Sequence, residues 1–332
     1  MKQISFAQAE HQNKKKVTRR ERFLTQMEAL VPWQRLIDAL SPAYFPNAAG
    51  RRGRPPIGLE RMLRIYFLQQ WYALADEALE DAIYDSQAMR DFVGIDLAIE
   101  SVPDATTLLR FRHLLEKHAL TQRIFEEINA HLAEKGLFMR EGTIVDATIV
   151  AAAPSTKNKA KQRDPEMKQT KKGKQYYFGM KAHIGVDAVT GLTHSVAATS
   201  ANVADVTMVG HLVRDDDKRV YGDAGYTGMW KYLDEEKDAP DSRCCVAAKR
   251  NTIKKMEDSP MKTLLLEIEK LKASIRAKVE HPFHVIKNLF GYRKVRYKGL
   301  AKNQAQLFSL FGLANLVLAT RCEGRVDRVS AP

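Results

Sequence analysis

The 332-residue chain has only three cysteines, Cys244, Cys245 and Cys322, in no metal-binding spacing and too few for a disulfide framework, which fits a reducing cytosolic setting. It also lacks a long hydrophobic run. The longest apolar-rich stretch, LFSLFGLANLVLAT (Leu307 to Thr320), covers about 14 residues where a bilayer needs about 20, so a buried helix is predicted and no membrane association. The first 30 residues are polar and basic, with no apolar core before a small-residue cleavage site, so no signal peptide is expected. No internal repeat is visible. Acidic charge is short as well: 40 Asp and Glu face 53 Lys and Arg, leaving +13. A chain this basic points to a polyanion, nucleic acid first, against the plainer alternative of a merely basic surface. The length suffices for roughly two domains.

Residues 1–136 predict helices. In LERMLRIYFLQQWYAL, Leu63, Phe67, Trp71 and Leu74 form one apolar stripe, and Asp76 is placed to cap the helix after it. TTLLRFRHLLEKH repeats the pattern through Leu108, Phe111, the Arg112 stem and Leu115, leaving Arg110 and His113 outward. Another helix uses Ile124, Ile128 and Leu132 and stops at Gly136. From Gly142 the period becomes that of strands, which sets a domain boundary near residue 137. The lysine-rich tract Pro154 to Gln175 has almost nothing to bury and predicts a mobile loop. A hairpin turning at Val189 to Leu192, a helix, the strand of KRVYGDAGYTG, a short helix, the strand RCCVAAK and a long helix opened by Ser259 and Pro260 follow.

Three acids draw notice. Asp146 sits inside GTIVDATIV, a β-branched strand, on the face shared by Ile144, Thr148 and Val150. A buried carboxylate needs a partner: a basic side chain, backbone amides or a metal ion. Asp223 ends a strand between Gly222 and Gly225, a motif that taken alone is more often a turn aspartate than a ligand. Glu280 adjoins the predicted buried stripe of the long helix, Ile268, Leu271, Ile275 and Val279. A straight helix would hold Arg276, Glu280 and Lys287 within about 40° of one another, unless Pro282 kinks it; an ordinary i, i+4 surface pair is the alternative. Asp187, at the hairpin turn, and Asp205, a predicted N-cap, compete less well, and His183 suits a packed position or one near DNA. The loop RRGRPP (Arg51, Arg52 and Arg54) resembles the Arg-Gly-Arg-Pro cores that lie in narrow A·T-rich minor grooves; it could also be a loop ending in a helix-opening proline. KKKVTRRER is a basic arm or a solvated tail.

Together GRRGRPPIGLERMLRIYFLQQWY, PDATTLLRFRHLLE, IVDATIVAAAPSTKN, YFGMKAHIGVDAVTGL, VYGDAGYTG and RAKVEHPFHVIKNLFGYRKVRYKGLAKN resemble the insertion-sequence-5 family of bacterial DDE transposases over nearly the whole chain. The family's helix signature runs Tyr, two residues, Arg, three residues, Glu, six residues, Lys. Arg276, Glu280 and Lys287 match it, and Ala273 stands at the tyrosine position.

The resemblance implies an α/β protein: an all-helical N-terminal DNA-binding domain (1–136), a ribonuclease-H-like mixed-sheet DDE catalytic domain (137–322) and a C-terminal tail (323–332). It implies Asp146, Asp223 and Glu280 as catalytic acids holding Mg2+, with Mn2+ as a substitute, and Arg276 and Lys287 on DNA phosphates, to which Arg51, Arg52, Arg54 and Arg110 are added as DNA contacts. The implied activity is cleavage at the terminal inverted repeats of an insertion sequence and joining to target DNA. The partners are double-stranded DNA and a second copy or more of the chain, in the cytoplasm at the nucleoid. A nuclease without strand transfer and a catalytically lapsed DNA-binding protein are the alternatives.

Overall fold

The computed structural model describes residues 14–45, 56–157, 159, 161–233, 243–249, 253 and 255–329, with side chains up to 320. Two compact units, Met1–Ile128 and Asn129–Pro332, divide the chain. The helices of the first part are α1 (Arg19–Leu30), α2 (Trp33–Tyr44), α3 (Leu59–Tyr72), α4 (Asp76–Asp85), α5 (Gln87–Val93) and α6 (Ala105–Lys117), and the division falls within α7 (Leu120–Glu134). Thr18 and Glu21 make a reciprocal capping box at the start of α1, so the segment KKKVTRRER runs into a helix.

In the first unit α3 is buried on nearly every side rather than along one stripe, and Leu74 lies beyond its end. The cause is aromatic packing around it: Trp33 lies 5.6 Å from Phe67, and Trp71 5.6 Å from Phe92. Asp76 is not the cap of α4. Ala75 holds that position, and the Asp76 carboxylate instead accepts both prongs of the Arg112 guanidinium at 2.6 and 2.9 Å. Arg112 is buried, so its charge requires a counter-ion more than the helix requires a side-chain cap. Leu108, Phe111 and Leu115 are buried along α6 as their spacing predicts, while Arg110 and His113 are exposed.

The second unit is mixed α/β. Strands β1 (Thr143–Ala151), β2 (Lys168–Lys172), β3 (Gln175–Asp187), β4 (Thr193–Ser200), β5 (Val220–Gly222) and β6 (Cys244–Val246) form one sheet. β3 runs antiparallel to β1, β2 and β4, and β5 runs parallel to β1 and β6. One face packs Val145 and Val220 against Val209, Leu212, Tyr226 and Met229. These come from a 3-10 turn with the one-turn helix α8 (Val209–Leu212) and from the turns after β5. The remaining helices are α9 (Pro260–Arg276), α10 (Glu280–His284) and α11 (Leu300–Val329). Among the described residues no helix is long and apolar enough to cross a membrane.

Two expectations are corrected. None of α9's residues is buried: Leu271 is 65% and Ile268 38% exposed, and Val279, in the 3-10 turn after the helix, is the buried member of the predicted stripe. Period tells which residues share a helix face, not whether another element covers it. The lysine-rich tract is also more than a loop. It contains β2, its Met167 is buried, and Asp164 accepts the Gly299 N–H at 2.7 Å at the start of α11, satisfying a donor that the helix cannot pair internally.

Asn315, fully buried on α11, fastens that helix to the sheet. Its side-chain oxygen accepts from Thr193 N–H at 2.9 Å, and its amide donates to Thr193 O and Asn129 Oδ1, both at 2.7 Å. Asn315→Ala leaves the Thr193 N–H buried without an acceptor, and urea unfolding should show a loss of about 2 kcal/mol. An unchanged midpoint would contradict this role.

Candidate active site

Asp146 stands in mid-strand on β1, opposite Ile184 of β3. Asp223 directly follows β5. Since Ile144 pairs in parallel with Tyr221, Asp146 and Asp223 lie two residues further along neighbouring strands, on the same face of the sheet. Asp223 opens a 3-10 turn, its carboxylate accepting the Gly225 N–H at 2.8 Å. Glu280, exposed, is the first residue of α10. Its charge reaches Asp146: burial, then repulsion from Asp223 and Glu280, pushes the Asp146 carboxyl up to about 6, against the opposing pull of the Ala147 N–H and of Arg276. Asp223 and Glu280 thus both lie within electrostatic range of Asp146. Among the described residues, no group of three Asp, Glu, His or Cys side chains is gathered closely enough to hold a metal ion.

The helix carrying Glu280 is not straight. After α9 the chain tightens into a 3-10 turn at Ala277–Val279, passes through α10, and widens into a π-helical turn at Val285–Leu289. Pro282 has no N–H to give the preceding turn, which accounts for the break, so the angular relation computed for a straight helix does not apply. Arg276 ends α9, and its Nε is buried with no hydrogen-bond partner. Lys287, in the π turn, donates to Thr148 Oγ1 at 2.6 Å and to Ile149 O at 2.8 Å. Thr148 shares a face of β1 with Asp146, so this lysine is held two residues from the half-buried acid. Burial, and then Lys172, lower the pKa of Lys287; Glu280 raises it and Arg293 lowers it. Thr148, Glu280, Lys287 and Arg293 line an open groove of about 560 Å³.

The other residues singled out in the sequence separate clearly. Asp187 is buried and accepts N–H groups from Met139, Arg140, Val189 and Thr190, a structural role at the turn. Asp205 does not cap its helix with its side chain; it pairs with Lys181 at 2.8 Å. His183 is packed, bonded to Thr199 Oγ1 at 2.7 Å. Arg110 lines a groove of about 860 Å³ with Tyr44, Ile57 and Thr107. Arg51, Arg52 and Arg54 lie outside the described residues.

Residues 137–316, more than half of the chain, match the transposase DDE domain, and residues 11–114 match a transposase domain (DUF772). The chain belongs to the DDE transposase family. No solved structure matches it.

Two residues of the candidate site are not evident from the sequence. Thr148 was visible only as a strand residue, although it is the anchor for Lys287. Tyr226 is 1% exposed, and its hydroxyl has no hydrogen-bond partner. Burial, followed by the charges of Asp146, Asp205 and Asp223, keeps that phenol protonated. Its signal was position alone, three residues after Asp223 in GDAGY. The ring packs on Gly222: a Cβ there would meet Tyr226 Cβ at 2.8 Å and Cγ at 3.0 Å. Gly222→Ala should therefore cost about 1–3 kcal/mol in urea unfolding by displacing Tyr226, whereas Gly58→Ala, with nothing within 4 Å of its Cβ, should be near neutral. Equal stabilities would show that the contact at Gly222 is slack.

Proposed function

We propose that this transposase binds the terminal inverted repeats of its own insertion sequence, cleaves at the ends and joins them to target DNA. The reading rests chiefly on one observation: Asp146, half-buried in mid-strand, and Asp223, just past the end of β5, lie on one face of the sheet on neighbouring strands, with the charge of Glu280 also reaching Asp146. The sheet supports a ribonuclease-H-like core, since β4, β3 and β1 are antiparallel and β5 and β6 follow in parallel on the other side of β1. Residues 1–136 would supply DNA binding through Arg110 and the segment with Arg51, Arg52 and Arg54, and residues 137–322 the chemistry, with 323–332 as a tail. Bringing two ends together calls for at least two copies of the chain on the DNA, in the cytoplasm at the nucleoid.

In donor type the set fits magnesium, or manganese in its place, and the side chains would have to close on the ion: Asp146, Asp223 and Glu280 offer only carboxylate oxygens, which hard divalent cations prefer, and the repulsion of Asp146 by the other two is what a cation would relieve. When bound, such ions activate the attacking oxygen and stabilise the leaving oxygen of a phosphodiester. In each step a bond forms between phosphorus and the oxygen of water or of a 3′-hydroxyl, and the bond to the departing oxygen breaks. Lys287, held by Thr148 and Ile149, offers its charge to a phosphate entering the groove. Arg276 brings a guanidinium whose Nε has no protein acceptor. Both cations also offset repulsion between the acids and the DNA backbone.

The test is Glu280→Gln, which keeps the side chain's shape and removes its charge. Binding to end DNA should stay within about twofold while cleavage and joining fall by about a hundredfold or more. Gel-shift and strand-transfer assays on the same preparation measure both. Wild-type cleavage by the variant would remove Glu280 from the site; nicks without joined products from the unaltered protein would favour the nuclease reading.

A further inference from the structure

The second unit carries a feature that the DDE constellation does not use. β3 pairs with β1 over Gly179–Asp187, and Phe178 O still accepts the Ala152 N–H at 2.8 Å, but its first residues, Gln175–Tyr177, pair only with β2 within the sheet. The β2–β3 hairpin is thus a two-stranded ribbon continuing past the end of β1. Its turn, Gly173–Lys174, has a positive φ (63°) at Gly173 alone, as a type II′ turn needs. A free ribbon of this size would be marginal. This one is fixed at its base by buried Met167 and by the bond from Asp164 to the start of α11.

The ribbon is basic and aromatic. From Met167 to Val186 there are five lysines and no Asp or Glu. Lys171 faces Tyr176 across the ribbon, and Gln169 faces Phe178 beside them on the same side. Lys171 Nζ lies 5.5 Å from the Tyr176 ring centre, and the Arg163 guanidinium 5.4 Å from that of Phe178. Lysines on an edge ribbon would by themselves only discourage strand addition. Tyr176 is not needed for that role: its ring is 62% exposed on the same side as Lys171, where a flat partner can reach it. The opposite side points towards the candidate active site: Lys172 lies near enough to Lys287 to disfavour its charge, as does Arg293. Lys287 and Arg293 line the groove, the segment after Arg293 bridges to the end of β1 at Ala151, and Lys172 follows on the ribbon, so positive charge runs from the site onto the hairpin.

We propose that the β2–β3 hairpin grips an unpaired DNA strand beside the active-site groove, with Lys171, Lys172 and Lys174 on its phosphates and Tyr176 stacked on a base. An exposed ring among cations on a rigid ribbon is the combination by which proteins hold single strands without reading sequence, since every base has a face to stack. The inference rests on the proposed function for its substrate, in which strand cleavage at an element end frees such a strand.

Fluorescence anisotropy with the full chain, in chelator, on a single-stranded oligothymidylate and on a duplex of equal length tests it without requiring cleavage. Tyr176→Ala should weaken single-strand binding by about tenfold and leave duplex binding within about twofold, and Tyr176→Phe should restore it because the ring is what stacks. Replacing Lys171, Lys172 and Lys174 by Ala should flatten the single-strand salt dependence by about 0.7 per lost phosphate contact. Wild-type single-strand binding by Tyr176→Ala, or an equal loss on duplex, would overturn the proposal. The two readings fail separately: a protein that cuts DNA but ignores Tyr176→Ala loses only the hairpin, and one that shows the single-strand effect but never cuts loses only the catalytic reading.

Discussion

The charge of Asp146 is the constraint on which the second unit turns. A carboxylate in the middle of a sheet is costly to ionise, and here burial and two neighbouring acids raise that cost together. An ordinary fold would neutralise it with a salt bridge at hydrogen-bond distance. This one provides a single backbone N–H, from Ala147, and leaves Arg276 at longer range. The basic residues at hand are committed elsewhere or poised around it: Lys287 on Thr148 and Ile149, Lys181 on Asp205 and Val203 O. What remains is an acidic point among basic residues, and under the proposed function a cation and a phosphate would complete it.

The broken helix serves that arrangement. A regular helix from Pro260 to Leu289 could not satisfy the chain at Pro282, and the 3-10, α and π turns that replace it reset the direction of each side chain. Glu280 then begins a new helix segment, while the π turn lets Lys287 reach back to β1. Lys287 and Arg293 line the groove, and the charge of Lys172 on the hairpin reaches Lys287.

Much of this was legible in the sequence wherever local chemistry decides structure. The β-branched run at β1 and the hairpin turn at Val189 to Leu192 form as their residues dictate, as does the Ser259 cap, which accepts the Lys262 N–H. What was illegible depended on partners distant in the chain. Leu271 and Ile268 lie on a helix face that no other described element buries. Lysines between Pro154 and Gln175 hid a strand because an edge ribbon needs little apolar surface once Met167 and Asp164 anchor it. Asp76 lost its capping role to Arg112, 36 residues away. The acids were visible as types and positions; their mutual influence came only from the register of β1 with β5 and the turn at Glu280.

The central claim is that Asp146, Asp223 and Glu280 act as one acidic site, and manganese binding to the DNA-free protein, followed by electron paramagnetic resonance, tests it most directly. Asp146→Asn and Asp223→Asn should each weaken binding about tenfold or more, while Asp216→Asn, on an exposed pair with Arg140, should leave it unchanged. Equal manganese affinity in all three variants and the unaltered chain would contradict the account.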